Sequence, residues 1–377
     1  MKNHLMPLTL AIALLLSGCV SSLEREYIVK TPNVPQNAGD LAQDEVSVSS
    51  KQDVKNAVIQ MAYSGIIRKD ISAVNYAGNF RADLRELLTE ILAEPIMGYA
   101  VAGVVPYETI SAASITIVYK KDIVDLTTIK RAATAEIFYS AMSEALNEYK
   151  TKVVLDIPYY TADKYNVEDT LHLIYRDNPQ ASVVFPEISI RQYPESGNHR
   201  IFEIDLYYKA PHQELVAKAE KMRQQADELA DKCPENLFLP EQKALWLYEE
   251  LRDSVKWDAD AEGNNADSHT AYGALVEGNA VSGGYAMAFK LLCRRFDIES
   301  MVIQGKKGTE EYAWNLVRLG ESWYHVDIAG DVLNGDIIGF LESDKAMQKN
   351  YTWSRADYPA AKNGTLTYDL INDGIGT

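Results

Sequence analysis

The chain has 377 residues, a formal net charge of −17, 47% apolar residues and 24% charged residues. This apolar content is enough for a globular core, and the length suits two domains. The negative charge opposes binding to nucleic acid and to anionic lipid surfaces, so we expect no nucleic-acid partner.

Residues 1–18 have the pattern of an export signal. Lys2 precedes the apolar run "LTLAIALLLSG", which leads into Cys19. That run is too short to cross a bilayer as a helix, and small residues before a cleavage point are typical of a secretory signal peptide. "LSGC" resembles the bacterial lipobox, which implies that Cys19 is acylated and anchors the chain to a membrane. The alternative is an ordinary signal peptide.

The location and the next segment follow from this pattern. We expect a lipoprotein of the bacterial cell envelope, on the exported side of the cytoplasmic membrane or in the outer membrane. Residues 19–50 are polar, with little apolar periodicity. They are therefore interpreted as the lipidated cysteine and a flexible tether to the folded part.

Residues 51–210 are predicted to form a duplicated α/β module, with copies at about 53–121 and 138–209. At an offset near 84 residues, Tyr76 matches Tyr160 and Pro95 matches Pro179. Each copy has helical segments followed by an alternating strand, "SITIVYK" in the first and "RIFEIDLYYK" in the second. The second strand alternates apolar and acidic residues, which predicts that one face is buried and the other is exposed. Two unrelated α/β segments are the alternative.

Two amphipathic helices are predicted next, at the start of a domain over residues 211–377. In each, apolar residues recur at three- and four-residue spacing, as in a helix with one buried face. The stripes are Leu215, Ala219, Met222, Ala226 and Leu229 in the first helix, and Ala244, Leu247, Tyr248, Leu251 and Val255 in the second.

No cofactor and no metal site is expected. The six histidines are scattered, without a Cys or His at metal-ligand spacing. Acylation of Cys19 leaves Cys233 and Cys293, and the apolar surroundings of Cys293 favour a buried thiol over a disulfide.

The stretch "AVSGGYAMAFKLLC" places Ser282 at the start of an apolar helix. Such a position exposes a side chain to free backbone N–H groups and to the positive end of the helix dipole, where a nucleophile is favoured. The plain interpretation is that Ser282 caps the helix.

A hairpin is predicted from "YAWNLVRL" (312–319) and "SWYHVDIA" (322–329), joined by Gly320-Glu321. This register sets Trp314 opposite Asp327 and Leu316 opposite His325. Because side chains alternate along a strand, Tyr312 shares a face with Asp327 and lies within its reach. We expect a hydrogen bond between them.

Residues 240–358 resemble the bacterial transglutaminase-like family. The resemblance is carried by "GNAVSGGYAMAFKLL", "YAWNLVRLGESWYHVDIAGD" and "FLESDKAMQKNYTWSRADYP". It implies an α+β, papain-like core, in which a helix opened by the nucleophile packs on an antiparallel sheet. The catalytic cysteine, histidine and aspartate of the family fall on Ser282, Tyr312 and Asp327.

Two of these three positions depart from the family pattern. A serine needs a general base, and tyrosine, with a usual pKa near 10, is a poor one at neutral pH. The resemblance therefore implies an inactive domain that binds a peptide, glycan or protein in a cleft lined by Ser282, Trp314, His325, Asp327 and Tyr285.

Two alternatives stay open. One is a serine-dependent hydrolase or acyl transferase that uses Ser282, with His325 as a surrogate base. The other is an envelope scaffold that works through the duplicated module.

Overall fold

The computed structural model describes residues 45–260, 265–335, 337–362 and 364–375. The expected signal peptide, the expected lipid anchor Cys19 and tether residues 20–44 lie outside the described residues. The last residues of the predicted tether are structured, because Val46 and Ser47 form a strand that pairs in parallel with Ile71 and Ser72. No helix in the described ranges is long and apolar enough to cross a membrane.

The first α/β module, residues 46–127, packs helices on one face of a four-stranded sheet. Helix α1 begins after Ser50, whose side chain accepts the N–H of Asp53, and ends at Gly65, whose φ of 66° suits a residue without Cβ. The strand order is β1-β2-β4-β3. The elements are β1 (Val46–Ser47), α1 (Lys51–Ser64), β2 (Arg68–Ser72), α2 (Phe80–Glu90), α3 (Pro95–Ala100), β3 (Val101–Glu108), β4 (Ala112–Tyr119) and α4 (Ile123–Thr127).

The second module, residues 130–207, has the same topology. Its strand order is β5-β6-β8-β7, and in both sheets the first two strands are parallel while the other pairs are antiparallel. Its elements are β5 (Lys130–Arg131), α5 (Ala135–Asn147), β6 (Lys152–Ile157), α6 (Val167–Asp177), β7 (Glu187–Tyr193) and β8 (Arg200–Tyr207). Helices α1 and α5 begin 84 residues apart. A common origin of the modules by duplication stays a prediction.

The elements of the two sheets begin earlier in the chain than residues 53 and 138, where the copies are predicted to begin. Strand β1 lies before residue 53, and β5 and the first turn of α5 lie before residue 138. Strands of two residues are too short to show the alternation by which a strand is recognised.

Strand β8 is buried on both faces, whereas its sequence predicts one exposed face. Glu203 and Asp205 are buried, as are the apolar residues that alternate with them. The first module covers this side of the sheet: Lys121 donates to both carboxylate oxygens of Glu203 at 2.8 and 2.9 Å, and Arg191 donates at 3.1 Å. Burial alone would raise the pKa of Glu203, but these bonds from Arg191 and Lys121 lower it to about 2.

The remaining elements form a third α+β unit around a five-stranded antiparallel sheet, in the order β14-β13-β12-β11-β15. They are α7 (His212–Ala230), α8 (Pro240–Ser254), β9 (Lys256–Trp257), β10 (Asn279–Ala280), α9 (Ser282–Cys293), β11 (Ser300–Lys307), β12 (Glu310–Leu319), β13 (Ser322–Val326), α10 (Ile328–Asn334), β14 (Phe340–Glu342), α11 (Asp344–Met347), β15 (Tyr351–Trp353) and α12 (Tyr368–Ile375). The α+β class is confirmed.

Both predicted amphipathic helices bury the expected stripes. In α7, Leu215, Ala219, Met222 and Ala226 are buried, and in α8, Ala244, Leu247, Tyr248 and Leu251 are buried. Leu229 is partly buried against the same core, and Val255 is buried just after α8. Cys293 is a buried free thiol, and Cys233 is free and partly exposed.

The hairpin register is confirmed where both strands are present, but the second strand is shorter than predicted. Leu316 lies opposite His325, and the last pair of the ladder joins Asn315 to Val326. Asp327 is not in the strand: its side chain accepts the N–H of Gly330 at 2.9 Å and caps α10. An acidic side chain that satisfies a free N–H group at a helix start favours the helix over a longer strand.

Candidate functional site

Ser282 is the first residue of α9, and Val281 is the residue that precedes the helix. The predicted capping role is therefore wrong, because no side chain caps this helix. The Ser282 hydroxyl instead accepts the backbone N–H of Ala313 in β12 at 3.3 Å. This bond fixes the start of α9 against the strand that carries Tyr312.

Close packing fixes the position of Ser282. A Cβ at Gly284 would lie 2.9 Å from the Ala280 side chain and 3.0 Å from the Thr270 carbonyl, so the first turn of α9 needs a glycine there. Farther along the helix, the Asn315 side-chain amide donates to the Ala286 carbonyl at 2.9 Å. Helix α9 and strand β12 are thus joined at both the serine and the asparagine.

The Asp327 carboxylate is the centre of the site, and it is buried. The Tyr312 hydroxyl donates to Oδ1 at 3.0 Å, as the sequence predicts, and the Gly330 N–H donates to the same oxygen. Oδ2 accepts from the Tyr351 hydroxyl at 2.5 Å and from the Lys307 ammonium at 3.3 Å. Both oxygens are therefore satisfied within the chain, and the negative charge is paired.

Lys307 and Tyr351 are members of the site that the sequence does not identify. They become neighbours because β15 pairs with the edge of β11, where Lys307 lies directly opposite Tyr351. The Lys307 ammonium is 4.9 Å from the centre of the Tyr312 ring and 5.2 Å from that of Tyr351, within cation–π distance. The sequence near Lys307 contains a turn signal at Gly308, but a turn there does not predict that β15 pairs with β11.

The two tyrosines at Asp327 are held as neutral phenols. Burial and the negative charge of Asp327 raise the pKa of Tyr312 and of Tyr351 far above the usual value. A phenol in this state donates a hydrogen bond and does not accept a proton at neutral pH. Tyr312 therefore cannot act as a general base at neutral pH.

His325 is buried, and its contacts do not fit a surrogate base. Its Nδ1 accepts the indole N–H of Trp314 at 2.9 Å, and its Nε2 faces Asp344 Oδ1 at 2.9 Å. This network assigns the ring proton to Nε2, so neither nitrogen has a free lone pair for Ser282. Burial lowers the pKa of His325, although the hydrogen bond to Asp344 opposes that shift.

The predicted cleft is closed in this structure. Its five expected lining residues, Ser282, Tyr285, Trp314, His325 and Asp327, are all buried. The Tyr285 hydroxyl donates to the Val255 carbonyl at 2.6 Å and belongs to the core. The Trp314 ring packs against those of Tyr351 and Trp353, with centres 5.2 and 5.7 Å apart.

The chemistry of this arrangement is that of a structural polar network. Acyl transfer by a serine requires a base within hydrogen-bond reach of its hydroxyl. Among the described residues, the contact of the Ser282 hydroxyl is a backbone N–H, which supplies no base. The described ranges also hold no group of three or more His, Cys, Asp or Glu side chains suited to a metal ion.

Comparison with known families identifies this part of the chain. Residues 217–328 match the model of the transglutaminase-like superfamily, so the chain contains a transglutaminase-like domain. The matched segment runs from α7 to the first residue of α10 and includes Ser282, Tyr312 and Asp327. No curated protein matches the chain.

Three solved structures are similar over part of their length. A TGase matches with 12% identity and a TM-score of 0.27, over 63% of this chain and 65% of its own, so this chain spans less than two thirds of it. A candidate cysteine protease from Cytophaga hutchinsonii matches with 14% identity and a TM-score of 0.25, over 47% of this chain and 70% of its own. A candidate protease from Parabacteroides distasonis matches with 7% identity and a TM-score of 0.23, over 58% of this chain and 46% of its own. With scores this low, the assignment depends on the family model alone.

Proposed function

We propose that the chain, which contains a transglutaminase-like domain, is a catalytically inactive lipoprotein of the bacterial cell envelope that binds a peptide, glycan or protein partner. The observation that carries this proposal is the saturated carboxylate of Asp327. In a working triad that carboxylate orients a histidine. Here its oxygens bond Tyr312, Tyr351, Lys307 and the Gly330 N–H.

The contacts of Ser282 support the same conclusion. Its hydroxyl bonds a backbone N–H, and the nearby imidazole of His325 is engaged by Trp314 and Asp344. Since the nucleophile position is buried, the partner is expected to bind on another surface. The two α/β modules, which precede the transglutaminase-like domain, are the place we propose for it.

The envelope location is proposed from the sequence. Lys2, the apolar run and "LSGC" before Cys19 support export and acylation. Metabolic labelling with a radioactive fatty acid tests this part, with Cys19→Ala as the matched control. Label in the natural chain and none in the variant is the expected result.

The absence of catalysis is tested with a fluorophosphonate, which forms a covalent adduct with an activated serine. The purified mature protein is treated, and its intact mass is compared with that of Ser282→Ala. We expect no adduct on either protein. A single adduct that is lost in Ser282→Ala would establish an activated serine and favour the hydrolase or acyl transferase alternative.

A second pair of variants tests why the site is inactive. In a Cys233→Ser background, Ser282→Cys alone is compared with Ser282→Cys combined with Tyr312→His. If the missing imidazole limits reactivity, alkylation of Cys at position 282 by iodoacetamide is faster in the combined variant, because a neighbouring imidazolium lowers a thiol pKa. Equal rates would mean that burial of position 282, and not the missing imidazole, limits the rate of alkylation.

A further inference from the structure

One end of the first module exposes three large apolar side chains. Val74, Tyr107 and Ile110 are 75%, 77% and 88% exposed. The Ala73 N–H donates to the Ser111 carbonyl at 2.8 Å, which places Val74 beside the turn that joins β3 to β4. Ile110 lies in that turn, and Tyr107 is near the end of β3. We call Val74, Tyr107 and Ile110 the apolar tip.

The chain enters the folded part beside the apolar tip. The Val48 N–H donates to the Ser72 carbonyl at 2.8 Å, and the Ala77 N–H donates to the Ser49 carbonyl at 3.0 Å. Residues 48 and 49 therefore flank the loop that carries Val74. Strand β1 is separated from β3 by two strands, so the distance across the sheet is roughly 15 Å.

The distance to the expected lipid anchor is limited by chain length. About 25 residues separate Cys19 from the first described residue. Even fully extended, they span at most roughly 90 Å. An acylated Cys19 would keep the entry point, and the tip beside it, within roughly 90 Å of the bilayer surface.

Basic side chains flank the apolar tip. Arg81 and Arg85 are exposed, and both donate to the carboxylate of Glu108, the residue after Tyr107, at 2.9 and 2.8 Å. Both guanidinium groups bond the same carboxylate oxygen and are more than half exposed, so they keep N–H groups that face solvent. Asp53 and Asp83 also lie near this end, and they accept hydrogen bonds from Ser49 and Tyr76, which carry no positive charge. Guanidinium groups suit phosphate oxygens.

We propose that the apolar tip inserts into the interfacial layer of the phospholipid bilayer to which Cys19 is anchored, with Arg81 and Arg85 at the lipid phosphates. This inference rests on the acylation proposed above. Aromatic and aliphatic side chains next to arginine suit the boundary between headgroups and acyl chains. Three side chains are few for a protein interface, which typically buries about 800 Å² on each partner. The tether makes tip binding an intramolecular event, for which a weak contact is enough.

The test uses an environment-sensitive fluorophore on the acylated full-length mature protein. In a Cys233→Ser background, Ile110→Cys is labelled with a nitrobenzoxadiazole dye. The protein is reconstituted into vesicles of phosphatidylethanolamine and phosphatidylglycerol. The matched control is Phe238→Cys, because Phe238 is 79% exposed but lies in the transglutaminase-like domain, before α8. We expect blue-shifted emission and quenching by nitroxide-labelled lipid at position 110, and neither effect at position 238.

The possible outcomes distinguish insertion of the apolar tip from anchoring through Cys19. Intact mass reports acylation of Cys19, and co-sedimentation with vesicles reports anchoring. If the protein is acylated and bound to vesicles but the two labels emit alike, tip insertion is overturned and the anchor stands. If Cys19 is not acylated, the anchor and the tip proposal are both overturned. A blue shift at position 110 in the non-acylated Cys19→Ala protein, in buffer without detergent or lipid, would identify a protein contact and also overturn the proposal.

Discussion

The Tyr312 hydroxyl donates a 3.0 Å hydrogen bond to Oδ1 of Asp327, and both residues lie in the segment that matches the transglutaminase-like superfamily. Both residues are buried, and Tyr351 and Lys307 satisfy the second carboxylate oxygen. The hydrogen bonds around Asp327 therefore form a stabilising network at the junction of α10 with the sheet. The first prediction follows from this pair.

Replacing Tyr312 with Phe should destabilise the protein. The variant removes one donor from a buried carboxylate, and a hydrogen bond to a charged group contributes about 2 kcal/mol. We expect the free energy of unfolding in urea, followed by circular dichroism, to fall by about that amount. Tyr159→Phe, at an exposed phenol, is the control and should be neutral. An unchanged stability in Tyr312→Phe would mean that the other donors hold Asp327 without it.

Stability should fall on acidification because of His325. Burial lowers the pKa of the folded imidazole below its usual 6.5, and Asp344, which also contacts Arg355, only partly opposes this. The unfolded chain therefore protonates His325 more readily than the folded protein does. The contribution of the neutral His325 to folding stability is complete above about pH 6.5, and it is lost as the pH falls through the folded pKa. Between about pH 7.5 and about pH 5.5, we expect the natural protein to lose more stability than His325→Gln does. Parallel pH profiles for the two proteins would contradict this.

The ion pair that joins the second module to α9 should respond asymmetrically to mutation. The Lys290 ammonium lies 2.9 Å from Asp177 Oδ1, and the two side chains are 8% and 41% exposed. Asp177→Asn leaves a buried positive charge without its partner, and the pKa of Lys290 is already lowered by burial. We expect the free energy of unfolding to fall by about 2 kcal/mol in Asp177→Asn. In Lys290→Met it should fall by less than about 1 kcal/mol, because the unpaired Asp177 carboxylate is partly exposed and stays hydrated. Urea unfolding of both variants measures the difference, and equal losses would contradict the explanation.

Gly305 should not tolerate alanine. It lies in β11 between β12 and β15, and a Cβ there would overlap the Thr352 carbonyl oxygen and lie 2.9 Å from the Trp314 ring. Overpacking of this kind costs about 1–3 kcal/mol, and the β15 edge that places Tyr351 at Asp327 should loosen. Gly103→Ala is the control, because nothing lies within 4 Å of a Cβ at that strand position. Thermal unfolding of the two variants tests the prediction, and equal melting temperatures would oppose it.

Local patterns in the sequence determine much of this architecture. Apolar spacing identifies α7 and α8, and the Gly320-Glu321 turn fixes the register of β12 and β13. Alternation along that hairpin predicts the contact of Tyr312 with Asp327, which the structure contains although Asp327 lies just beyond the strand. The resemblance to the transglutaminase-like family predicts that its cysteine and histidine fall on Ser282 and Tyr312, and this placement stays a prediction. Each of these signals depends on residues close together in the chain.

Long-range packing decided the rest. The pairing of β15 with β11 brings Lys307 and Tyr351 to Asp327, and the contacts of His325 with Trp314 and Asp344 occupy both of its ring nitrogens. The packing of the first module on β8 buries Glu203, which alternation alone would leave exposed. A local pattern shows which face of a helix or strand is apolar. The helix or strand that packs on that face comes from a distant part of the chain. Burial, and with it the protonation state of Tyr312 and His325, is therefore a property of the assembled fold.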